Sequence, residues 1–328
     1  MSRPALFALL MVFGVLWGGT IPLTKLAVTE GNAPLGLIAW QLSFSALLLG
    51  CLVLIRRSSV PLSARHLAFY AVVAALGTLV PNFFSYYAAA QLPAGVMALV
   101  IALVPMFALA VAVMFRLERP DGKRFLGVLL GATAIALIVL PQSSLPDPTK
   151  AWVVLVALIA PFCYGVEGNY LSVNQPKDVG PIGTLFGASV VGALVSVPAA
   201  WITGLAVPVD KVLQFRTPEL ALFGSALLHV VAYAGYIWLV KRAGPVFTAQ
   251  VAYVVTPAGV LLAMVFLGER PATTLWLALV VLLIGLSLVQ PKDQDAQKGQ
   301  AAKEGGPDHK PATTPSAPLA QPVPREPS

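Results

Sequence analysis

Ten apolar segments, each near the length a helix needs to cross a bilayer, follow one another before Pro291 with only short links between them. They run over 5–26, 33–55, 66–91, 94–115, 124–140, 152–173, 181–204, 219–240, 245–267 and 273–290. A hydrocarbon core of about 30 Å takes roughly 20 residues of helix, and stretches of that length have no place in a water-soluble domain of this size. The links carry Pro, Gly or charge and leave no room for a soluble domain. Composition agrees: 58% of residues are hydrophobic, 11% are charged and mean hydropathy is +0.82. Arg3 precedes the first segment, but that segment is long for a signal sequence and more spans follow, so it predicts a retained helix.

The net charge of +7 reads as a topology signal. With the N-terminus in the cytoplasm, the inner side receives Arg3, Arg56, Arg57, Arg65, Arg116, Arg119, Lys123, Arg124, Lys177, Lys241, Arg242 and Lys292. The outer side receives Lys25, Lys150, Lys211, Arg216 and Arg270. This bias predicts that both termini lie inside. The basic residues are spread over many links, which speaks against a nucleic-acid partner. Beyond Pro291 the chain turns to Lys, Gln, Ala and Pro, and residues 291–328 are expected to form a disordered cytoplasmic tail. Cys51 and Cys163 both fall inside apolar segments, where two small buried side chains are expected and a structural disulfide is not.

A motif recurs at long range. Ala94-Gly95 opens a segment, Pro105 interrupts it, Glu118-Arg119-Pro120 closes it and a further apolar segment follows. Later, Ala243-Gly244 opens, Pro257 interrupts and Glu269-Arg270-Pro271 closes in the same order. Tyr87 and Tyr236 each stand eight residues before the opening Gly, and Leu16 to Gly19 match Cys163 to Val166. The repeat units are 1–143 and 150–290, with five segments each. Five is odd, so the second copy must enter the membrane reversed, and a pseudo-twofold axis in the membrane plane relates the halves.

On these residues the chain resembles the EamA type of the drug/metabolite transporter superfamily, and the paired corners carry the likeness. The resemblance implies an all-α integral membrane fold, ten transmembrane helices in two inverted five-helix repeats, in a bacterial inner membrane. It also implies ATP-independent movement of a small molecule, such as an amino acid, nucleoside, vitamin or amphiphilic drug, mostly outward. As for the corners, Pro cannot continue a helix, and Glu118 and Arg119 can sit hydrated among headgroups and fix its depth. A gating role for the corner is the other reading.

Polar groups inside spans must face protein or a wet cavity. In the sixth segment Glu167 lies three residues from both Tyr164 and Tyr170, and it reads as the acidic side chain well inside a span. It can take a proton or a substrate amine, or serve as a structural partner for a neighbouring helix. His229, Tyr233 and Tyr236 share a stripe of the eighth segment; His229 can carry protons or be a hydrogen-bonded core residue. Asn82, Tyr86 and Tyr87 come from the third segment, Gln250 and Tyr253 from the ninth, Trp17 and Thr20 from the first, and Trp40 and Gln41 from the second. Together they predict an aromatic and amide-lined cavity with one acidic group, suited to a flat or amphiphilic amine. No metal site or cofactor is expected, because His66 and His309 lie at a membrane edge and in the tail. Trp152, Trp201 and Trp276 read as headgroup-level anchors. The small-residue pairs Gly14/Gly18, Gly127/Gly131 and Gly183/Gly187 predict close helix packing within a monomer, or a weak homodimer.

The function expected is secondary transport by alternating access, with export of amino acids or amphiphilic amines first and import of a vitamin, nucleoside or amino-acid derivative second. A non-transporting scaffold gives no reason for polar stripes in both halves, and an embedded enzyme lacks a converging set of reactive groups.

Overall fold

The computed structural model describes residues 3–119, 121–140, 145, 147–243, 247–248 and 250–289, and the expectations for Pro120, Gly244 and the 291–328 tail lie outside them. The described secondary structure is all helical. The first half contains α1 (Arg3–Ala27), α2 (Pro34–Arg56), α3 (Ala64–Ala74), a π-turn (Ala75–Leu79), α4 (Val80–Gln91), α5 (Ala94–Ile101), α6 (Val104–Met114) and α7 (Gly122–Val139). The second contains α8 (Ala151–Ala157), α9 (Ile159–Asn174), α10 (Pro181–Ile202), α11 (Val209–Val212), α12 (Thr217–Ala243), α13 (Ala252–Leu267) and α14 (Thr273–Val289). Eight helices or helix stacks among the described residues are long and apolar enough to cross a bilayer, and α13 and α14 are shorter apolar helices.

Prolines account for most departures from the expected unbroken spans. A proline lacks an N–H, and its ring presses on the carbonyl four residues back. Pro81 follows the π-turn, in which the Val80 N–H reaches back to the Ala75 carbonyl. Pro161 follows the break at Leu158 that separates α8 from α9. Pro105 sits in the first turn of α6, directly after the break at Ala102–Leu103. Pro257, expected to interrupt the ninth segment, does not: α13 starts only at Ala252 and runs through it, losing one ladder bond. The break in that segment falls earlier, so Gln250 lies in a turn and not on a helix.

Both Glu-Arg corners end their helices with a left-handed residue and not with the proline. Arg116 has φ 57° and Gly268 has φ 64°. Leu117 N–H bonds back to the Ala112 carbonyl at 2.8 Å, and Glu269 N–H reaches the Ala263 carbonyl at 3.5 Å. From there the corners diverge. Glu269 crosses to the first half, where its two oxygens accept from the N–H groups of Ala94 at 2.6 Å and Gly95 at 3.0 Å, the open N-terminus of α5. Lys25 from α1 donates to the Ala89 carbonyl in the last turn of α4 at 2.6 Å, so the α4–α5 bend is held at both ends by charged side chains. At the first corner Glu118 pairs locally with Arg124, whose Nε donates to the Val289 carbonyl at the end of α14 at 3.1 Å.

Helix packing follows the repeat. α2 lies on α10, α7 on α14 and α5 on α13; α1 packs on α12 and α13 as α9 packs on α4 and α6; and α2 meets α12 as α10 meets α3. Each of these cross-half pairs maps onto itself or onto another of them when the halves are exchanged. Small residues permit the approach. A methyl built on Gly127 would meet the Gly285 carbonyl at 2.6 Å, one on Gly18 the Val255 carbonyl at 2.7 Å, one on Gly14 the Val254 Cβ at 2.6 Å, and one on Gly187 the ring of Tyr70 at 2.7 Å. Gly131 and Gly183 approach Met106 and the Ser59 carbonyl as closely. The outer surface is apolar: Leu54, Ile55, Leu194, Ile202, Val265 and Phe266 stand out from it. Cys51 is exposed, Cys163 is buried and both are free. At one polar end His66 and Asp178 meet at 3.2 Å, and that hydrogen bond holds the Asp178 carboxyl below its usual range.

Candidate functional site

Between the halves, three helices bring four polar side chains into one chain of hydrogen bonds. Asn82 and Tyr86, one turn apart on α4, both donate to the Gln41 side-chain oxygen on α2, at 2.9 Å and 2.8 Å. Tyr164 on α9 donates to the Asn82 oxygen at 3.1 Å. A single Gln oxygen takes both donors, so its orientation is set by the network.

A second group is aromatic. Trp17 on α1 meets the rings of His229, Tyr236 and Tyr233 on α12 nearly edge-on, with centroids at 5.7, 5.9 and 6.3 Å. The α12 rings form a near-parallel ladder, His229 on Tyr233 at 10° and Tyr233 on Tyr236 at 21°. His229 keeps an exposed surface beside these rings.

Glu167 sits one turn from Tyr164 on α9, beside the amide–tyrosine network. Its carboxylate rests against Gly77 in the π-turn: a methyl built there would lie 2.6 Å from Cδ and 2.8 Å from Oε2. A second buried acid, Glu219, stands at the start of α12, in its first turn, and is only 4% exposed.

Other expected lining residues go elsewhere. Tyr170, a turn beyond Glu167, stacks on Phe69 at 5.9 Å in an apolar cluster of α3, α9 and α10. Tyr87 turns to Trp152 at 6.3 Å. Trp40 donates to the Val207 carbonyl at 2.9 Å and lines a separate cavity of about 200 Å³ with Trp201. Thr20 returns its hydroxyl to the Trp17 carbonyl at 2.7 Å, while its own carbonyl accepts from Ser225 at 3.4 Å. Gln250 is exposed in its turn, and Tyr253 makes no ring contact with the aromatic group among the described residues. Asn169, absent from the sequence reading, donates to the carbonyls of Ala108 and Gly165 at 2.9 Å and fastens α9 to α6. Among the described residues no His, Cys, Asp and Glu gather in threes to hold a metal.

A two-half bundle with polar groups gathered at the join is a carrier's arrangement, and comparison gives the family. The EamA-like transporter family model matches residues 4–140 and again 151–290. The chain belongs to the EamA-like transporter family. This EamA protein is 26% identical over 289 residues, 87% of its length and 90% of the other's, to the "Uncharacterized inner membrane transporter YedA" of Escherichia coli strain K12. It is also 26% identical over 216 residues, 63% of its own length and 68% of the other's, to the "Probable terminal-alkyne amino-acid exporter" of Streptantibioticus cattleyicolor. A solved structure described as "Crystal structure of protein" matches the fold with a TM-score of 0.55 at 17% identity, over 88% of this chain and 98% of that one. The EamA chain is a multi-pass transport protein of a bacterial inner membrane.

Proposed function

We propose that the protein is a secondary carrier that exports small amine-bearing metabolites, such as amino acids or amphiphilic amines, by alternating access. Ten spans form two inverted halves, 1–143 and 150–290, with both termini and the 291–328 tail in the cytoplasm. Rocking of the halves opens the central cavity first to one face and then to the other. The observation that carries the reading is the position of Glu167 on α9, one turn from the Tyr164 that closes the amide–tyrosine network. The carboxylate takes the ammonium group of the substrate. Trp17, Tyr233 and Tyr236 offer π faces and edges to its apolar part and to its charge. Gln41 and Asn82, locked by the hydrogen bond between them and by Tyr86 and Tyr164, hold the wall in one shape. When the substrate leaves, a proton neutralises Glu167, so amine and proton exchange on one group, with His229 beside the path. The exporter named in Streptantibioticus supports an outward direction and an amino-acid cargo.

The test is transport in proteoliposomes loaded with a pH-sensitive dye. The wild-type protein is expected to move protons against added amine, and Glu167→Gln to lose that exchange at normal protein levels. Wild-type exchange by Glu167→Gln rejects the role.

A further inference from the structure

We infer that Gly77, exposed by the π-turn ahead of Pro81, is the positioning residue that seats the Glu167 carboxylate and restricts the site to primary ammonium groups. The inference rests on the reading of Glu167 as the amine partner. Its geometry begins with Pro81, whose ring presses on the carbonyl of residue 77 in a regular helix. The helix answers by widening: residues 75–79 form a π-turn, and the Val80 N–H reaches past the usual acceptor to the Ala75 carbonyl. Pro81 has no N–H to give, so this turn has fewer donors than carbonyls.

The widened turn packs against α9, and its one residue without a side chain meets Glu167. The carboxylate fills the volume a Cβ at residue 77 would occupy, with Cδ at 2.6 Å and Oε2 at 2.8 Å from that position and Oε1 nearer still. Among the described residues no side chain or backbone donor bonds to the carboxylate. The carboxylate therefore lies against the turn with no donor among the described residues. A primary ammonium brings three donors in a small volume and satisfies such a place. A trimethylammonium brings none and needs the room that the backbone occupies. Gly77 thus does two things: it lets the carboxylate lie close to the turn, and it limits the size of the head that fits beside it.

The test uses radiolabelled 2-phenylethylamine and its N,N,N-trimethyl derivative with the full-length protein in proteoliposomes. Gly77→Ala pushes the carboxylate away and is expected to raise KM for the primary amine roughly tenfold or more, while leaving the trimethyl compound unchanged or better. Glu167→Asp in the Gly77→Ala background, one methylene shorter, is expected to recover much of the lost selectivity. Pro81→Ala removes the cause of the π-turn and is expected to lower the same ratio without any added bulk, which serves where Gly77→Ala fails to reach the membrane. Wild-type selectivity in Gly77→Ala or Pro81→Ala, or no recovery in the double variant, overturns the inference. Glu167→Gln separates the two levels: if it transports as wild type, the amine reading falls and takes this one with it. If Glu167→Gln is impaired and Gly77→Ala is not, only the role of Gly77 falls. A wild-type protein that carries neither probe overturns both.

Discussion

At the second corner a glutamate reaches into the opposite half of the molecule, and at the first an equivalent glutamate stays with an arginine six residues away. Glu269 has two backbone N–H partners on α5, whereas Glu118 has the Arg124 guanidinium, which in turn holds the end of α14. The two stretches share Glu-Arg-Pro, a preceding apolar helix and a left-handed end residue. What differs is the partner, and the partner sets the energetics. A carboxylate capping a half-buried helix end replaces water for donors that have no other partner, while an exposed ion pair competes with water throughout. Equal motifs in two halves thus do unequal work, one as a bond between halves and one as a brace near its own helix end.

The most drastic way to break this comparison is to find the corners on one side of the membrane. In a background lacking Cys51 and Cys163, Arg119→Cys and Arg270→Cys are expected to react with an impermeant maleimide from opposite faces, all or none. Labelling of both from one face removes the inverted arrangement. Next in size is the cap itself. Glu269→Ala is expected to cost about 2–3 kcal/mol, since it strips a charged partner from two N–H groups, and Glu118→Ala less than about 1 kcal/mol. Thermal unfolding in detergent measures both, and equal losses erase the distinction. The smallest effect sharpens it at the backbone. Gly268 meets φ 64° without a side chain, whereas Arg116 holds φ 57° with one. Gly268→Ala is expected to destabilise by about 1 kcal/mol and Arg116→Gly to stabilise by a similar or smaller amount, read from the same unfolding curves.

The all-helical membrane fold could be read from the lengths of the apolar runs, and the two-half organisation from the recurrence of the corner. The links within the site were legible where they are local. Asn82 and Tyr86 at i, i+4 do reach one acceptor, and the stripe His229, Tyr233, Tyr236 does form one ladder. What sequence could not supply is rotational phase. Helices apolar all round show no preferred face, so sequence puts Trp40 and Gln41 together although one bonds to the Val207 carbonyl and the other holds the network. Tyr170 fails for the same reason: spacing from Glu167 was right, but a stacking partner on α3 claims the ring. Glu269 was legible as a corner and not as a cap, because its partners lie 175 and 174 residues earlier in the chain. Gly77 had a local sign, a proline four residues on in an apolar run, whose meaning appears only once α9 lies against it.

The glycine seam between α7 and α14 has a consequence for movement. Gly127 and Gly285 face each other so closely that a methyl on either would strike the other's carbonyl, at 2.6 and 2.8 Å. Two rods touching backbone to backbone hold the halves together at this point, so any rocking of one half against the other is expected to pivot there, and helices farther from the seam to swing through the larger arc.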